Sequence, residues 1–335
     1  VGPSAELPAT LGISTPSSNN SDLRTKGWEV SIGWKDRLKN GLGYGINLSL
    51  SDQITMIDSY PDNKTLSIDS YLPGYKDGLI WGYETIGIAK SDEEMQAHLA
   101  SLPKGGQDAV GSQWAAGDIM YKDLNGDGKI SEGARTLGDH GDLKILGDTY
   151  SHYFFGIDLN ADWKGFDFRA FFQGVLKHDY WGSGNFTGML FGVRGGYSRW
   201  HTRGFKQHED YFRAEPAGLE GHELPANLDS YYPRPIFSDS SDGTSFGAKN
   251  QKVQSRYVQD ASYIRLKNLQ FGYTLPAKFT NKFGINRLRI FVSGENVWTG
   301  TGLTKLFDPE TISGGNGGNA YPLSRTWSFG LSLTL

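Results

Sequence analysis

The sequence predicts an all-β protein, an antiparallel up-and-down transmembrane β-barrel, from three observations. Apolar and small polar residues alternate through several segments, which is the period of a strand with one apolar face. Short turns and long polar connections alternate along the chain, as is typical of outer-membrane barrels. Aromatic residues make up 13% of the chain and glycine 45 of its 335 residues, which favours strands and turns over helices.

Seven segments follow the strand pattern. In the last one, Trp327, Phe329 and Leu331 alternate with small polar residues up to Leu335 at the end of the chain. The fifth changes phase, and a bulge near Lys267-Asn268 would return its apolar residues to one face. The predicted strands lie near residues 27–36, 41–51, 151–163, 165–177, 261–275, 286–298 and 325–335.

The connections between these strands are unequal. Those at 36–40, 164–165 and roughly 276–285 are short, whereas 52–150, 178–260 and 299–324 are long and polar. Because the two kinds alternate, an antiparallel meander places all the long ones at one end, and we expect them to be extracellular loops. A strand from Tyr153 to Trp163 would rise about 33 Å, and a tilt of ~40° reduces this to about 25 Å, the height of a lipid-facing band.

Composition excludes several classes of protein. The formal charge of -4 argues against a nucleic-acid binder, and the absence of Cys excludes disulfide scaffolds and thiolate metal sites. No run approaches the roughly 18 apolar residues of a membrane-spanning helix.

Because Val1 is not a Met and no signal-peptide pattern follows it, we expect a processed or truncated piece of a longer protein.

The segment "DLNGDGKISEGA" resembles the first positions of a calcium-binding EF-hand loop, in which alternating oxygen ligands converge around a turn that needs Gly. Position twelve, which should offer a bidentate Glu, is Ala134. A weak structural Ca²⁺ site and a turn held by side-chain to backbone hydrogen bonds therefore remain as alternatives. The candidate metal residues are Asp123, Asn125, Asp127, Lys129 and Ser131.

Two further features lie in the long loops. The string "SDEEMQAHLASLP" predicts a short helix, with Ser91 and Glu94 as a capping box and Pro103 as its stop. Aromatic side chains of the second loop are candidates for contact with a sugar or a partner protein, although simple packing of the loop explains them equally well. These candidates are Trp181, Trp200, Tyr231 and Tyr232.

Nothing in the sequence requires an enzyme. The string "GTSFG" matches a nucleophile-elbow pattern only formally, because it follows "SDSSD" rather than a buried strand. No phosphate-binding loop, no H-E-x-x-H pair and no privileged pair of carboxylates is found.

Several strings together resemble the C-terminal barrel half of SusC/RagA-type TonB-linked outer-membrane proteins. In order, they are "LRTKGWEVSIGW", "MYKDLNGDGKI", "GDLKILGD", "FGIDLNADWKGFDFRAFFQGV", "YYPRP", "DASYIRLKNLQFGYTLP" and "LRIFVSGENVW", and they extend across nearly the whole chain. Two positions depart from the family pattern. Ala134 stands where the family's loop often has an acidic residue, and Leu335 stands where such barrels usually end in an aromatic residue.

The resemblance implies a TonB-dependent importer from a Bacteroidetes-type bacterium, located in outer-membrane lipid. Barrels of this class have about 22 strands around a plug, so seven strands would be roughly the last third, with the plug domain absent. The implied partners are a SusD-like surface lipoprotein, a glycan or peptide substrate, and the TonB complex through the missing N-terminal part.

On this interpretation, the polar residues of each strand would line a hydrated lumen. The alternative is a secreted β-sandwich carbohydrate-binding module with a structural calcium. The candidates for the lumen and the substrate path are Glu29, Asp158, Asn160, Asp167, Arg169, Gln173, Arg287, Arg289 and Glu295.

Overall fold

The structure, a computed structural model, describes residues 2–3, 10, 12, 17–182, 190–191, 205–236, 249–312 and 320–335. The chain divides into two compact units. The first, which we call the loop unit, comprises Val1–Arg24, Thr55–Thr149 and Trp181–Val258. The second, which we call the sheet unit, comprises Thr25–Ile54, Tyr150–Tyr180 and Gln259–Leu335.

Strands dominate the described residues, and seven long ones form a single sheet in the order β15-β14-β13-β10-β9-β4-β3. In chain order the strands are β1 (Gly2–Pro3), β2 (Ser17–Ser18), β3 (Asp22–Arg37), β4 (Gly43–Ser59), β5 (Leu79–Tyr83), β6 (Thr85–Ile88), β7 (Ile119–Tyr121), β8 (Leu143–Asp148), β9 (His152–Trp163), β10 (Phe166–Lys177), β11 (Asp179–Tyr180), β12 (Gln259–Asp260), β13 (Tyr263–Thr274), β14 (Arg287–Thr301) and β15 (Thr326–Thr334). The long strands neighbour one another in chain order, which is an up-and-down meander, and the predicted all-β fold class is confirmed.

Strands β3 and β4 extend furthest beyond their predicted bounds. Strand β3 begins at Asp22 rather than near residue 27, and β4 continues to Ser59 rather than ending near residue 51. Beyond Ser51 the alternation is lost, because Met56 and Ile57 are adjacent and lie on opposite faces. The connection predicted as 52–150 also contains the short pairs β5–β8 and β6–β7.

The predicted bulge is confirmed in β13. Phe171 of β10 pairs with Asn268, but the next residue, Phe172, pairs with Leu266, so Lys267 is the extra residue. The partner strand β14 shows the same irregularity between Leu266 and Asn268. The bulge restores one apolar face along the whole of β13.

The predicted turn at Lys164-Gly165 joins β9 to β10. Lys164 has φ 48° and Gly165 has φ 89°, so both central residues are left-handed, as a type I′ hairpin turn requires. This turn fixes the register, in which Trp163 pairs with Phe166 and Asp162 with Asp167.

Helices are short and few among the described residues. They include α1 (Asp92–Ala100) and α2 (Ala277–Thr280), with 3₁₀ turns at Lys206–Glu209, Lys249–Gln251 and Asn281–Phe283. In α1, Ser91 is the N-cap and its side chain accepts a bond from the Glu94 amide, as predicted. The Glu94 carboxylate accepts from the Lys90 amide at 2.6 Å, one residue before the position expected in a capping box. In the described part of the chain, no helix is both long enough and apolar enough to cross a bilayer.

The apolar face of the sheet is open. Phe329 is 85% exposed and Leu331 63%, and on the opposite edge strand Ile32 and Trp34 are each 62% exposed. A β-sandwich buries the inner face of one sheet against another, so these exposures contradict the sandwich alternative.

Candidate functional site

The structure places all nine lumen candidates on one face of the sheet, which we call the polar face. This assignment follows from the register of the strands, because residues directly opposite each other share a face. Arg169 lies opposite Asn160 and Gln270, and Glu295 lies opposite Asn268. For β3, a Cβ on Gly33 would lie 2.7 Å from the Asn47 side chain, so Gly33 shares the face of Asn47. Glu29, four residues before Gly33, has the same parity and therefore lies on the same face.

Arg169 and Asp158 form a bidentate ion pair across two strands. The guanidinium donates from Nε to Asp158 Oδ1 at 3.0 Å and from Nη2 to Oδ2 at 2.7 Å. The pair is diagonal, because Arg169 lies directly opposite Asn160. Such diagonal neighbours are within reach of a long side chain on the same face of a sheet.

Arg289 and Asp167 form a second bidentate pair, which spans the intervening strand β13. Arg289 Nε and Nη2 donate to the two carboxylate oxygens at 2.9 and 2.5 Å. Gly272 lies between them, and a Cβ there would be 2.5 Å from Arg289 Nη2 and 2.6 Å from Asp167 Oδ2. A glycine on β13 is therefore what allows this pair to lie flat against the polar face.

Sequence reasoning missed other members of the polar face. Arg37 pairs with Asp162 at 2.8 Å, and the buried Arg265 pairs with Asp308 at 2.8 Å. Phe154 breaks the alternation of β9, and its pairing with Val175 and Ser51 puts its ring on the polar face. The broken alternation at Phe154 was the one available signal, whereas the ion pairs depend on which strands become neighbours.

The loop aromatic candidates have different surroundings within the loop unit. Tyr232 is 4% exposed and lies in a cluster of rings, 6.2 Å from and parallel to Tyr257. Burial raises its pKa, and for this ring the surroundings favour the packing alternative over contact with a ligand. Tyr231 and Trp181 are half-buried, and Trp200 lies outside the described residues.

The side-chain oxygens of the calcium-like loop accept hydrogen bonds from backbone amides of the same loop. Asp123 accepts from Gly126 at 2.7 Å and from Gly128 at 2.9 Å, and Asn125 accepts from Asp127 at 2.9 Å. Across the described residues, no group of three His, Asp or Glu side chains is arranged to hold a metal ion. The geometry is that of an Asx-rich turn, and calcium binding by Asp123, Asn125, Asp127, Lys129 and Ser131 stays a prediction.

Asp142 closes this turn and was missed by sequence reasoning. Its carboxylate accepts from the Leu124 and Ser131 amides, each at 2.8 Å, and thereby joins the two ends of the loop. Burial raises the pKa of Asp142, while the backbone amides act in the opposite direction. Asp142 is outside the twelve-residue pattern, so the motif gave no signal for it.

A buried ion cluster organises the loop unit. Lys249 Nζ donates to Asp118 Oδ2 at 2.7 Å, and both side chains are fully buried. Arg234 donates from Nε to Asp118 Oδ1 at 2.8 Å, and the Asn250 amide donates to the same oxygen. Burial lowers the pKa of Lys249, and the Asp118 carboxylate opposes that effect. Asp118 is more than 100 positions before the other three residues, so local sequence patterns gave no signal for the cluster.

The chain is similar to known receptors and importers over nearly its whole length. No protein-family model matches it. It is 27% identical to TonB-dependent receptor P3 of Formosa agariphila over 98% of the chain, and 25% identical to TonB-dependent receptor P26 of the same organism. It spans 30% and 31% of the lengths of these two relatives.

Solved structures show the same fold. The RagAB peptide importer in its open-open state matches 99% of the chain with a TM-score of 0.59 at 18% identity, and the match covers 31% of that structure's chain. A second structure, of the RagAB peptide transporter, matches 98% of the chain with a TM-score of 0.60 at 17% identity.

Proposed function

Since the chain is a relative of the TonB-dependent receptors and shares their transmembrane barrel fold in the outer membrane, we propose that it forms part of the wall of a nutrient importer. Its polar face lines the route of an oligosaccharide or a peptide through the barrel, and its apolar face contacts lipid. The importer binds its substrate and lets it pass through a gated route, and it does not catalyse a reaction. We include a SusD-like surface lipoprotein and the TonB complex among the partners of the whole receptor.

The observation that carries this proposal is the separation of the two faces. Charged side chains occupy the polar face in bidentate pairs, such as Arg169 with Asp158 and Arg289 with Asp167. The opposite face exposes large apolar side chains such as Phe329, Leu331 and Trp34. The charged side chains of the polar face need contact with water, and the exposed apolar side chains of the opposite face need contact with lipid. The wall of a membrane barrel provides both environments.

The partners and the substrate class follow from relatives by analogy. The structural relatives are described as a peptide importer and as a peptide transporter. That description supports a substrate of similar size and polarity for this chain, which spans about a third of such a receptor. An oligosaccharide fits the polar face equally well, because both substrates need side-chain donors and acceptors along a wet path.

Labelling of single cysteines tests the lumen assignment. The chain has no Cys, so Arg169→Cys and Phe168→Cys can each be introduced as its sole thiol in the full-length receptor, freed of any cysteine elsewhere. A membrane-impermeant maleimide should modify the Arg169→Cys variant from the aqueous lumen and leave the Phe168→Cys variant, whose thiol lies in lipid, unmodified. Equal labelling of the two variants in intact outer membranes would contradict the assignment.

Growth tests the import itself. Cells that lack the receptor are complemented with the wild-type full-length gene and supplied with oligosaccharides or peptides as their only carbon source. Uptake should need both the receptor and the TonB complex. If growth on every such substrate continues without the receptor, import is not its function.

A further inference from the structure

A cavity of about 400 Å³ lies within the loop unit, between residues 57 and 81. Four aromatic side chains line it: Tyr60, Tyr71, Tyr75 and Trp81. Ser70 and Asp77 add a hydroxyl and a carboxylate to the lining. Cavities of this size, with aromatic walls and a few polar groups, are typical of sites for small ligands. The proposed route along the polar face does not include this cavity, and none of its residues is among the sequence candidates.

One wall of the cavity is held in place by the hydrogen bonds of a buried side chain. Asn63, which is 7% exposed, donates from its amide to the Ser67 and Tyr71 carbonyls at 2.9 and 3.0 Å. Its amide oxygen accepts from the Ser67 backbone at 2.7 Å. This side chain therefore fixes the segment from Asn63 to Tyr71, which carries one of the aromatic residues. A fixed wall lowers the entropy cost of binding a ligand.

The aromatic rings form a corner. Tyr60 and Tyr71 meet edge to face, with centroids 5.3 Å apart and an interplanar angle of 82°. Tyr71 is 40% exposed, so much of its surface remains accessible. Aromatic faces can pack against the apolar C–H face of a saturated sugar ring, while the Tyr hydroxyls can bond to its hydroxyl groups.

The charges of the lining are balanced. Asp69 is paired with Arg135 through both guanidinium nitrogens Nε and Nη2. The other two charged residues of the lining, Lys76 and Asp77, carry opposite charges. A cavity with balanced charge favours a neutral, hydroxyl-rich ligand over an anion or a cation.

Much of the backbone around the cavity is already hydrogen-bonded within the protein. The Ile57 amide donates to Tyr75 at 3.0 Å, the Gly74 amide to Ile57 at 2.8 Å, and the Asp77 amide to Thr55 at 3.0 Å. A peptide bound in extended form uses main-chain groups of its receptor as partners. A sugar instead uses side-chain hydroxyls, carboxylates and rings, which this lining offers.

We propose that this cavity, built on Tyr60, Tyr71, Tyr75 and Trp81, is a binding site for a neutral sugar ring of an oligosaccharide. It is a surface site of the loop unit and acts independently of passage through the barrel. Its occupancy would hold an oligosaccharide at the receptor whether or not that molecule is imported.

Calorimetry on the purified full-length receptor in detergent tests the site. The probes are separate panels of neutral gluco-, manno- and xylo-oligosaccharides, with a mixed tetrapeptide library as the alternative ligand. At least one neutral oligosaccharide should bind saturably. Tyr71→Ala should weaken that binding about tenfold, because one aromatic contact is lost, while Tyr71→Phe should weaken it less.

Tyr321→Ala is the matched control, because Tyr321 is 89% exposed and lies outside the cavity. It should bind the oligosaccharide like the wild type. The proposal is overturned if no oligosaccharide binds, if Tyr71→Ala and Tyr321→Ala weaken binding equally, or if only the peptides lose affinity on Tyr71→Ala. Failure of uptake would not affect this result, since the measurement records binding alone.

Discussion

The apolar side chains of β15 show how each residue of the sheet has an assigned face. Leu331 pairs with Ile290 and is 63% exposed, while Ser328 pairs with Ser293 on the polar face. In water a row of this composition would favour aggregation, but in a barrel it contacts lipid. The face that a residue occupies, rather than its type, therefore decides the cost of a charge.

Leu331→Arg should destabilise the full-length receptor by about 2–4 kcal/mol in the membrane, because a charge near the middle of the lipid face must be desolvated. Ser328→Arg, the matched change on the polar face, should cost much less. The measurement is the free energy of unfolding in lipid vesicles, together with the yield of heat-modifiable protein. Equal losses for the two variants would mean that the faces are wrongly assigned.

At the scale of the element, the bulge in β13 keeps both halves of the strand in phase. Ile264 and Leu266 before it, and Leu269 and Phe271 after it, all pair with residues of the apolar face. The extra residue, Lys267, also pairs with Glu310 at 2.9 Å.

Deletion of Lys267 should prevent correct assembly, because a shift of one residue moves every following side chain to the opposite face. Lys267→Ala keeps the bulge and removes only a partly exposed ion pair, so it should cost at most about 1 kcal/mol. Both variants are scored by the yield of folded protein in the outer membrane. Normal assembly of the deletion variant would show that the bulge does not set the register.

Helix α1 carries a pH-sensitive contact. His98 Nε2 lies 3.1 Å from Gln107 Oε1, and burial lowers the pKa of His98 below its ordinary value. The neutral ring is therefore favoured in the folded state. The contribution of the neutral His98 ring to the stability of the folded state is present above the ordinary His pKa of about 6.5. It is lost as the pH falls towards the lowered pKa of His98 in the folded protein.

Hydrogen exchange in residues 92–100, corrected for its intrinsic pH dependence, should therefore become faster on acidification below about pH 6.5. His98→Gln retains a side-chain donor but cannot titrate, so its exchange should show no such change. A wild-type profile that is flat across this range would remove His98 as the cause.

At the scale of the whole molecule, the loop unit has a core of its own, and this core contains a buried ion pair. Lys249 and Asp118 are fully buried, whereas the pair of Lys90 and Asp229 is exposed. Removal of one partner from a buried pair leaves an uncompensated charge, and removal from an exposed pair does not.

Lys249→Met should destabilise the loop unit by about 3–5 kcal/mol, because Asp118 loses its buried cationic partner. Lys90→Met removes the same group from an exposed pair and should change the stability by about 0–1 kcal/mol. Limited proteolysis within residues 55–149 reports the difference. Similar cleavage rates for the two variants would contradict a structural role for the buried pair.

The sequence by itself determined the seven long strands of the sheet, their faces and the hairpin at Lys164-Gly165, because these features depend on a period of two residues and on local backbone angles. It also located the bulge at Lys267, since a change of phase is visible in one strand. The continuation of β4 to Ser59 escaped it, because the alternation stops where both sides of the strand carry apolar residues.

Only the tertiary structure decided which charges meet. Arg289 reaches Asp167 because β13 brings two strands together and Gly272 leaves room between them. Asp118 and Lys249 are 131 positions apart, and their pairing depends on the packing of the loop unit. The cavity beside Tyr71 is likewise a product of packing. Such contacts join segments that are distant in the chain, and local periodicity carries no information about them.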